Sequence, residues 1–212
     1  MEQLENVTVF DHPIIRHKVA ILRDENTSMK VFREVAEEIT TLMVYESFRD
    51  VKIKKVMIKT PLEETEQEMV VDHSVTIVPI LRAGLGMVNG VHRLFPTARV
   101  GHIGLYRDEE TLEPHEYYCK LPEGIEDSVV FLLDPMLATG GSVIDAITML
   151  KRRGCKDIRS MHIIGAPEGI KAVHEKYPDV HIYVSTVDRQ LNEHGYILPG
   201  LGDAGDRLFG TK

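Results

Sequence analysis

The chain has 212 residues, 43% of them hydrophobic, which is enough to bury the core of a single domain. Its 25 Lys and Arg stand against 33 Asp and Glu, and a net charge of -8 opposes nonspecific binding to nucleic acid or an anionic membrane. No apolar run approaches the ~20 residues that cross a bilayer, Met1-Glu-Gln-Leu-Glu5 lacks the blocks of an export signal, and Cys119 and Cys155 form no CxxC, so a disulfide-free cytoplasmic protein is expected, with no nucleic-acid or membrane partner.

Residues 1–26 read as an arm with one short helix and a basic patch, Arg16-His17-Lys18. From Thr27 onward Val31, Val35, Ile39, Leu42 and Met43 recur on one face, which predicts a helix to about Phe48 with Thr27 or Ser28 as N-cap. Residues 51–59 are β-like but highly charged, and Pro61 closes them, as in an edge or flanking strand. Residues 75–80, 100–106, 128–133, 158–164 and 180–184 are short apolar runs of the kind that form buried parallel strands. Helical stretches at about 84–94, 142–153 and 168–177 alternate with them. The expected class is therefore α/β, an open parallel sheet in one domain spanning residues 1–212. The last 28 residues hold four glycines before Gly210, one proline and no amphipathic period. In such a fold a ligand sits beyond the carboxyl ends of the strands, so the segments after Ile80, Tyr106 and Leu133 carry the most information.

The run Val129-Val-Phe-Leu-Leu-Asp134 delivers one carboxylate at the end of an apolar strand, and a small-residue loop then opens a helix at Ser142. Thr139, Gly140, Gly141 and Ser142 allow backbone N–H groups to approach an anion, and a helix N-terminus adds partial positive charge. Asp134 would repel a phosphate but can accept hydrogen bonds from neutral hydroxyls, as on a ribose diol. A sugar phosphate meets both demands. The plainer alternative is a tight turn whose glycines close a corner and whose Asp and Ser cap a helix. No lysine follows the glycines, which excludes the P-loop of an NTPase.

Pro79-Ile-Leu-Arg82-Ala-Gly84-Leu-Gly86 places an arginine and two glycines after a second buried strand, a donor set suited to pyrophosphate. The spacing Gly84-x-Gly86-x-x-x-Gly90 is one residue too long for a dinucleotide fingerprint. Residues 107–118 are acidic and end in Tyr117-Tyr118, as in a hairpin at the carboxyl edge. Residues 196–206, taken alone, read as a glycine-rich tail. The ten histidines form no HExxH or other compact ligand set and read as surface or core residues.

Asp134, Pro135, Met136, Leu137, Ala138, Thr139, Gly140, Gly141 and Ser142 together resemble the phosphoribosylpyrophosphate (PRPP) motif of phosphoribosyltransferases, in the form found in the uracil family. Most of that superfamily sets two acidic residues side by side here, whereas this chain has Asp134-Pro135. The resemblance extends in order from His12-Pro-Ile-Ile-Arg-His-Lys18 to the C-terminus. It implies a flexible hairpin flap and a base-binding hood around the sheet, and transfer of phosphoribose from PRPP to uracil, giving UMP and pyrophosphate. It implies catalytic roles for Arg82, Arg107 and Asp134, with Arg107 at the base of the flap. It assigns uracil to Ile197, Gly202, Asp203 and Ala204, and sets Asp203 near the ribosyl substrate or its metal. Magnesium is expected to arrive on the pyrophosphate oxygens rather than in a protein cage. A homo-oligomer, dimer or tetramer, and GTP as effector are further implications, and no residue here places a GTP site. Two other classes stay open on the residues: a PRPP-binding regulator of RNA or DNA, which should show a basic face, and an enzyme for another base such as a purine or orotate.

Overall fold

A computed structural model describes residues 5–107 and 114–211, without the side chains of residues 107, 114 and 115. The chain opens with strand β1 (Val7–Val9) and helix α1 (Pro13–Arg23), which has Pro at its first position and His12 Nδ1 accepting from the Ile14 N–H. Helix α2 (Met29–Ser47) follows, capped by Ser28, while Thr27 instead donates to the Ile21 carbonyl. The predicted arm thus contains a strand as well as a helix. Three residues are too few to carry a pattern, yet β1 joins the central sheet.

Strands β2 (Ile53–Lys59) and β3 (Glu64–Val70) form a separate antiparallel hairpin. The flanking position expected for the first is correct, and its partner has the run Glu64-Thr-Glu-Gln-Glu68, which shows no apolar alternation. Lysines on one strand meet glutamates on the other, as in the 2.8 Å pair of Lys55 with Glu66, so cross-strand charge sets the pairing.

The remainder runs through β4 (Val75–Leu81), α3 (Leu85–Leu94), β5 (Arg99–Val100), β6 (His102–Arg107), β7 (Pro114–Lys120), β8 (Val129–Leu133) and β9 (Met136–Leu137). Then come α4 (Gly141–Arg152), β10 (Asp157–Gly165), α5 (Pro167–Lys176) and β11 (His181–Val187), followed by β12 (Gln190–Leu191), β13 (Ile197–Leu198) and α6 (Ala204–Phe209). The main sheet has the order β1-β11-β10-β8-β4-β6-β7. Its pairs are parallel except β6–β7, the described strands of the expected flap hairpin. The residues between them lie outside the described set.

Period-two alternation divides the core into two layers. Phe131 and Leu133 of β8 join Phe32, Ile39 and Met43 of α2, Leu22 of α1, Met87 of α3 and Leu208 of α6 on one face. Val130 and Leu132 join Ala146, Ile147 and Leu150 of α4 and Ile170 and Val173 of α5 on the other. A Cβ at Gly90 would stand 2.6 Å from the Glu37 carbonyl, so the crossing of α2 and α3 requires glycine there. Cys119 and Cys155 are free, as expected. No helix among the described residues is long and apolar enough to cross a membrane.

The two ends of the chain are fastened together. Asp188, with a side chain only 3% exposed, takes a two-pronged ion pair from Arg23 at the end of α1. Arg23 also donates to the Gly200 carbonyl at 2.7 Å, and the Gly200 N–H donates to Asp188 at 2.9 Å. Arg207 of α6 reaches back to the carbonyls of Leu22, Leu201 and Asp24 and lies 4.5 Å above the Phe32 ring. Replacing Arg23 by Met strands a buried carboxylate, which costs roughly 3 kcal/mol. Urea unfolding should show the midpoint fall by that equivalent with an unchanged slope.

Candidate active site

Four segments meet at the carboxyl edge of the sheet. The strand β4 ends at a cis peptide between Leu81 and Arg82, β8 ends at Asp134, the phosphate loop follows β9, and the C-terminal segment closes over them. Arg107 ends β6, but its side chain lies outside the described set.

The loop between β9 and α4 is shaped by contacts that no larger residue would permit. Gly140 has φ +85, and a Cβ there would meet the Gly169 carbonyl at 2.9 Å. A Cβ at Gly169 would stand 2.2 Å from the Ala138 carbonyl, so the loop rests directly on the first turn of α5. Helix α4 begins at Gly141, one residue before the expected Ser142, and no side chain caps it. The Gly141 N–H makes only a long 3.5 Å bond to Thr139 Oγ1, no N-cap side chain serves the rest of the first turn, and Thr139 and Ser142 are exposed beside it. The alternative in which Asp and Ser of this loop merely cap the helix does not occur. A recess of about 70 Å³ is lined by Asp134, residues 136–142 and Val143. A larger, mainly apolar recess, about 570 Å³, lies between β1 and α2, where Phe10, Ile15, Leu42 and Tyr45 present no convergent donor set for an anion.

Asp134 sits at the rim with partial exposure, yet the surrounding protein desolvates it and pushes its carboxyl up to about 7. The Met136 N–H, 3.3 Å from Oδ1, pulls the other way, and the Asp203 carboxylate raises it further. This mutual repulsion places Asp134 and Asp203 within electrostatic reach across the cleft. Asp203 also caps α6, its Oδ1 accepting from the Asp206 N–H at 2.8 Å. The six-residue helix α6 is the main departure from the expected glycine-rich tail.

Arg82 lies 3.7 Å from Asp206 and 5.8 Å from the centroid of the Phe209 ring, and more than half of its side chain faces solvent. It is thus steered by α6 while its remaining donors are open to a ligand. Ile197 is buried in β13 and can reach a ligand only through its backbone. After the cis peptide Leu198–Pro199 the chain turns at Gly200, with φ +67 and room for no Cβ, since one would meet the Ile197 carbonyl at 2.2 Å. A Cβ at Gly195 would come 3.7 Å from the Thr139 methyl, and Leu191 N–H bonds to Glu168 of α5 at 3.0 Å, so this segment passes beside the phosphate loop.

One contact at this edge was not visible in the sequence. His162, fully buried in β10, has Nδ1 2.7 Å from the Asp134 carbonyl oxygen. Burial holds its imidazole down to about 4, hence neutral near pH 7. The only signal in the sequence is a polar residue within Met161-His-Ile-Ile164, which reads equally as a core histidine.

Among the described residues no group of three or more His, Cys, Asp or Glu could hold a metal. Asp134 and Asp203 interact electrostatically across the cleft, and their carboxylate oxygens are of the ligand type that a divalent cation takes.

The raised carboxyl of Asp134 sets a pH-dependent penalty. Its proton is retained up to about 7 in the folded protein but only to ~4 in the unfolded chain, so the ionised form opposes folding fully above pH 7 and ceases to do so as pH falls to ~4. Asp134→Asn should raise the melting temperature by roughly 10 °C at pH 8 if the whole penalty is relieved, and the gain over the parent should shrink at pH 5. Thermal scans at the two values check it.

A family model described as uracil phosphoribosyltransferase matches residues 9–211. A curated uracil phosphoribosyltransferase from Clostridium acetobutylicum is 60% identical over 209 residues, covering 99% of this chain and 100% of that protein. Another from Clostridium botulinum is 59% identical over the same shares. The solved AQ2163 protein from Aquifex aeolicus superposes with TM-score 0.91 at 41% identity, covering 97% of this chain and 99% of that one. Adenine phosphoribosyl transferase from Trypanosoma brucei, at TM-score 0.62 and 13% identity over 92% and 89% of the two chains, shares the fold.

Proposed function

This chain belongs to the uracil phosphoribosyltransferase family, a pentosyltransferase family that converts uracil and PRPP to UMP and pyrophosphate, and we propose a division of that work among its residues. The observation that carries the assignment is the uncapped start of α4 beside the carboxylate of Asp134. The first holds a phosphate and the second holds neutral hydroxyls, and PRPP carries both on one ribose.

The N–H groups of Ala138, Thr139, Gly140, Gly141 and Ser142 take the 5-phosphate, with Pro135, Met136 and Leu137 shaping the approach. Asp134 orients the ribose diol. Arg82 and Arg107 stabilise the departing pyrophosphate, Arg82 having open donors for that purpose. Asp203, with Asp134 beside it, would help hold a magnesium ion carried on the pyrophosphate, and such an ion would supply neutralising charge at the leaving group. Uracil N1 forms a bond to the anomeric carbon as the bond to pyrophosphate oxygen breaks, and the N1 proton departs. Positioning and charge stabilisation account for the acceleration through an oxocarbenium-like transition state.

Uracil presents two carbonyl acceptors flanking an N3–H donor. The backbone at Ile197, Gly202, Asp203 and Ala204 is suited to that edge because glycine-lined turns leave N–H and C=O groups accessible there. Cytosine would set donor against donor. Orotate would need a cation for its carboxylate, which this loop lacks. Family membership also supports a homo-oligomer, dimer or tetramer, that responds to GTP, and the net charge of -8 fits a cytoplasmic enzyme without nucleic-acid or membrane partners.

Pyrophosphate release from PRPP and magnesium should occur with uracil and not with cytosine, orotate or guanine. Release with another base would overturn the base assignment and keep the phosphate chemistry; no release with any base, from folded protein, would favour a regulatory PRPP-binding role. Arg107→Ala should lower kcat by ~10²–10³ and leave uracil affinity near the parental value. Loss of uracil affinity alone would contradict the role given to Arg107.

A further inference from the structure

The parallel register predicts a hydrogen bond that the structure does not contain. Asp134 donates its N–H to the Met161 carbonyl at 3.2 Å, so its own C=O also faces β10, where ladder geometry would assign it the N–H of Ile163. Ile163 and Ile164 instead both donate to the Pro135 carbonyl, each at 3.0 Å. The turn at Pro135 has taken the donor from its neighbour. Beyond it the original register resumes, with Met136 opposite Ile164.

The orphaned carbonyl of Asp134 accepts from His162 at 2.7 Å instead. A carbonyl can only accept, so Nδ1 carries the proton and Nε2 presents its lone pair. Nε2 is buried and has no partner among the described residues. An unpaired polar nitrogen in a core is a cost that an apolar side chain of similar size would not incur. The bond from Nδ1 is the contribution that sets against it.

We propose that His162 is a positioning residue of the PRPP site, a side-chain donor that replaces the backbone donor lost at Pro135 and thereby fixes Asp134 for the ribose. The peptide after Asp134 and the carboxyl share one Cα. With His162 holding the peptide and the Met136 N–H bonded to Oδ1, both rotations that would swing the carboxylate away from the ribose are restrained. This inference rests on the reading of Asp134 as the ribose acceptor.

The test uses the full-length enzyme with His162→Leu, His162→Gln, His162→Asn and Asp134→Asn, each checked for its melting temperature. Leu removes the donor, Gln moves it outward to the Nε2 position, and Asn keeps it near Nδ1. Leu and Gln should lower kcat/KM for PRPP by ~10- to 100-fold with KM for uracil unchanged, and Asn should recover most of the loss. A role in packing alone predicts the reverse order, with Leu best tolerated. Parental PRPP kinetics in His162→Leu, or equal impairment of Asn and Gln, would overturn the proposal. Where Leu fails to fold, the comparison of Asn with Gln decides. Unimpaired PRPP kinetics in Asp134→Asn would instead remove the underlying reading of Asp134, whereas an impaired Asp134→Asn beside a normal His162→Leu would remove only the clamp.

Discussion

A parallel sheet covered by helices on both faces has nowhere to do polar chemistry except at the ends of its strands. Leu132 and Leu133 of β8 point to opposite apolar layers, and both are fully buried. Just past Leu133 the chain reaches the half-buried Asp134, and past the half-buried Leu81 at the end of β4 it reaches the exposed Arg82. The location of the site is therefore a consequence of how the core is packed. Helices α4 and α5 then bring their N-termini to that edge, because a parallel strand must be followed by a crossover that starts there.

The arrangement of charge at this edge is unfavourable in the protein by itself. Asp134 and Asp203 repel each other while burial penalises Asp134, and the first turn of α4 has no N-cap side chain and only a long bond from Gly141 N–H to Thr139. A ligand that brings hydroxyls, an anion and a cation together answers all three deficits. Such local costs are typical of sites shaped for a ligand, and the two well-packed layers beneath supply the stability that tolerates them.

Most of the central architecture was legible in the sequence because buried parallel strands have an unmistakable composition. The five apolar runs became β4, β6, β8, β10 and β11, and the helices between them fell within a few residues of their expected ends. Less legible were β1, which is short and depends on its partner β11, and β3, whose pairing follows charge rather than apolar period. The short helix α6 was hidden because three of its six residues, Gly205, Asp206 and Arg207, are not apolar. At the site, the sharp turn before α4 could be read because glycines such as Gly140 have direct local consequences. The link from His162 to Asp134 could not, since it spans 28 residues and arises from a backbone donor diverted by Pro135. The same is true of Arg23 with Asp188, whose partners are 165 residues apart.

That last separation bears on the order in which the enzyme is made. Arg23 leaves the ribosome well before Gly200 and Arg207, which complete the fastening around it. The strands of the main sheet and the loop before α4 precede residues 195–207 in the chain, so this segment finds its anchors after them. A chain cut short after β11 would therefore keep Asp134 and the loop before α4 while lacking Asp203 and the turns of residues 195–207 that are proposed to meet the base.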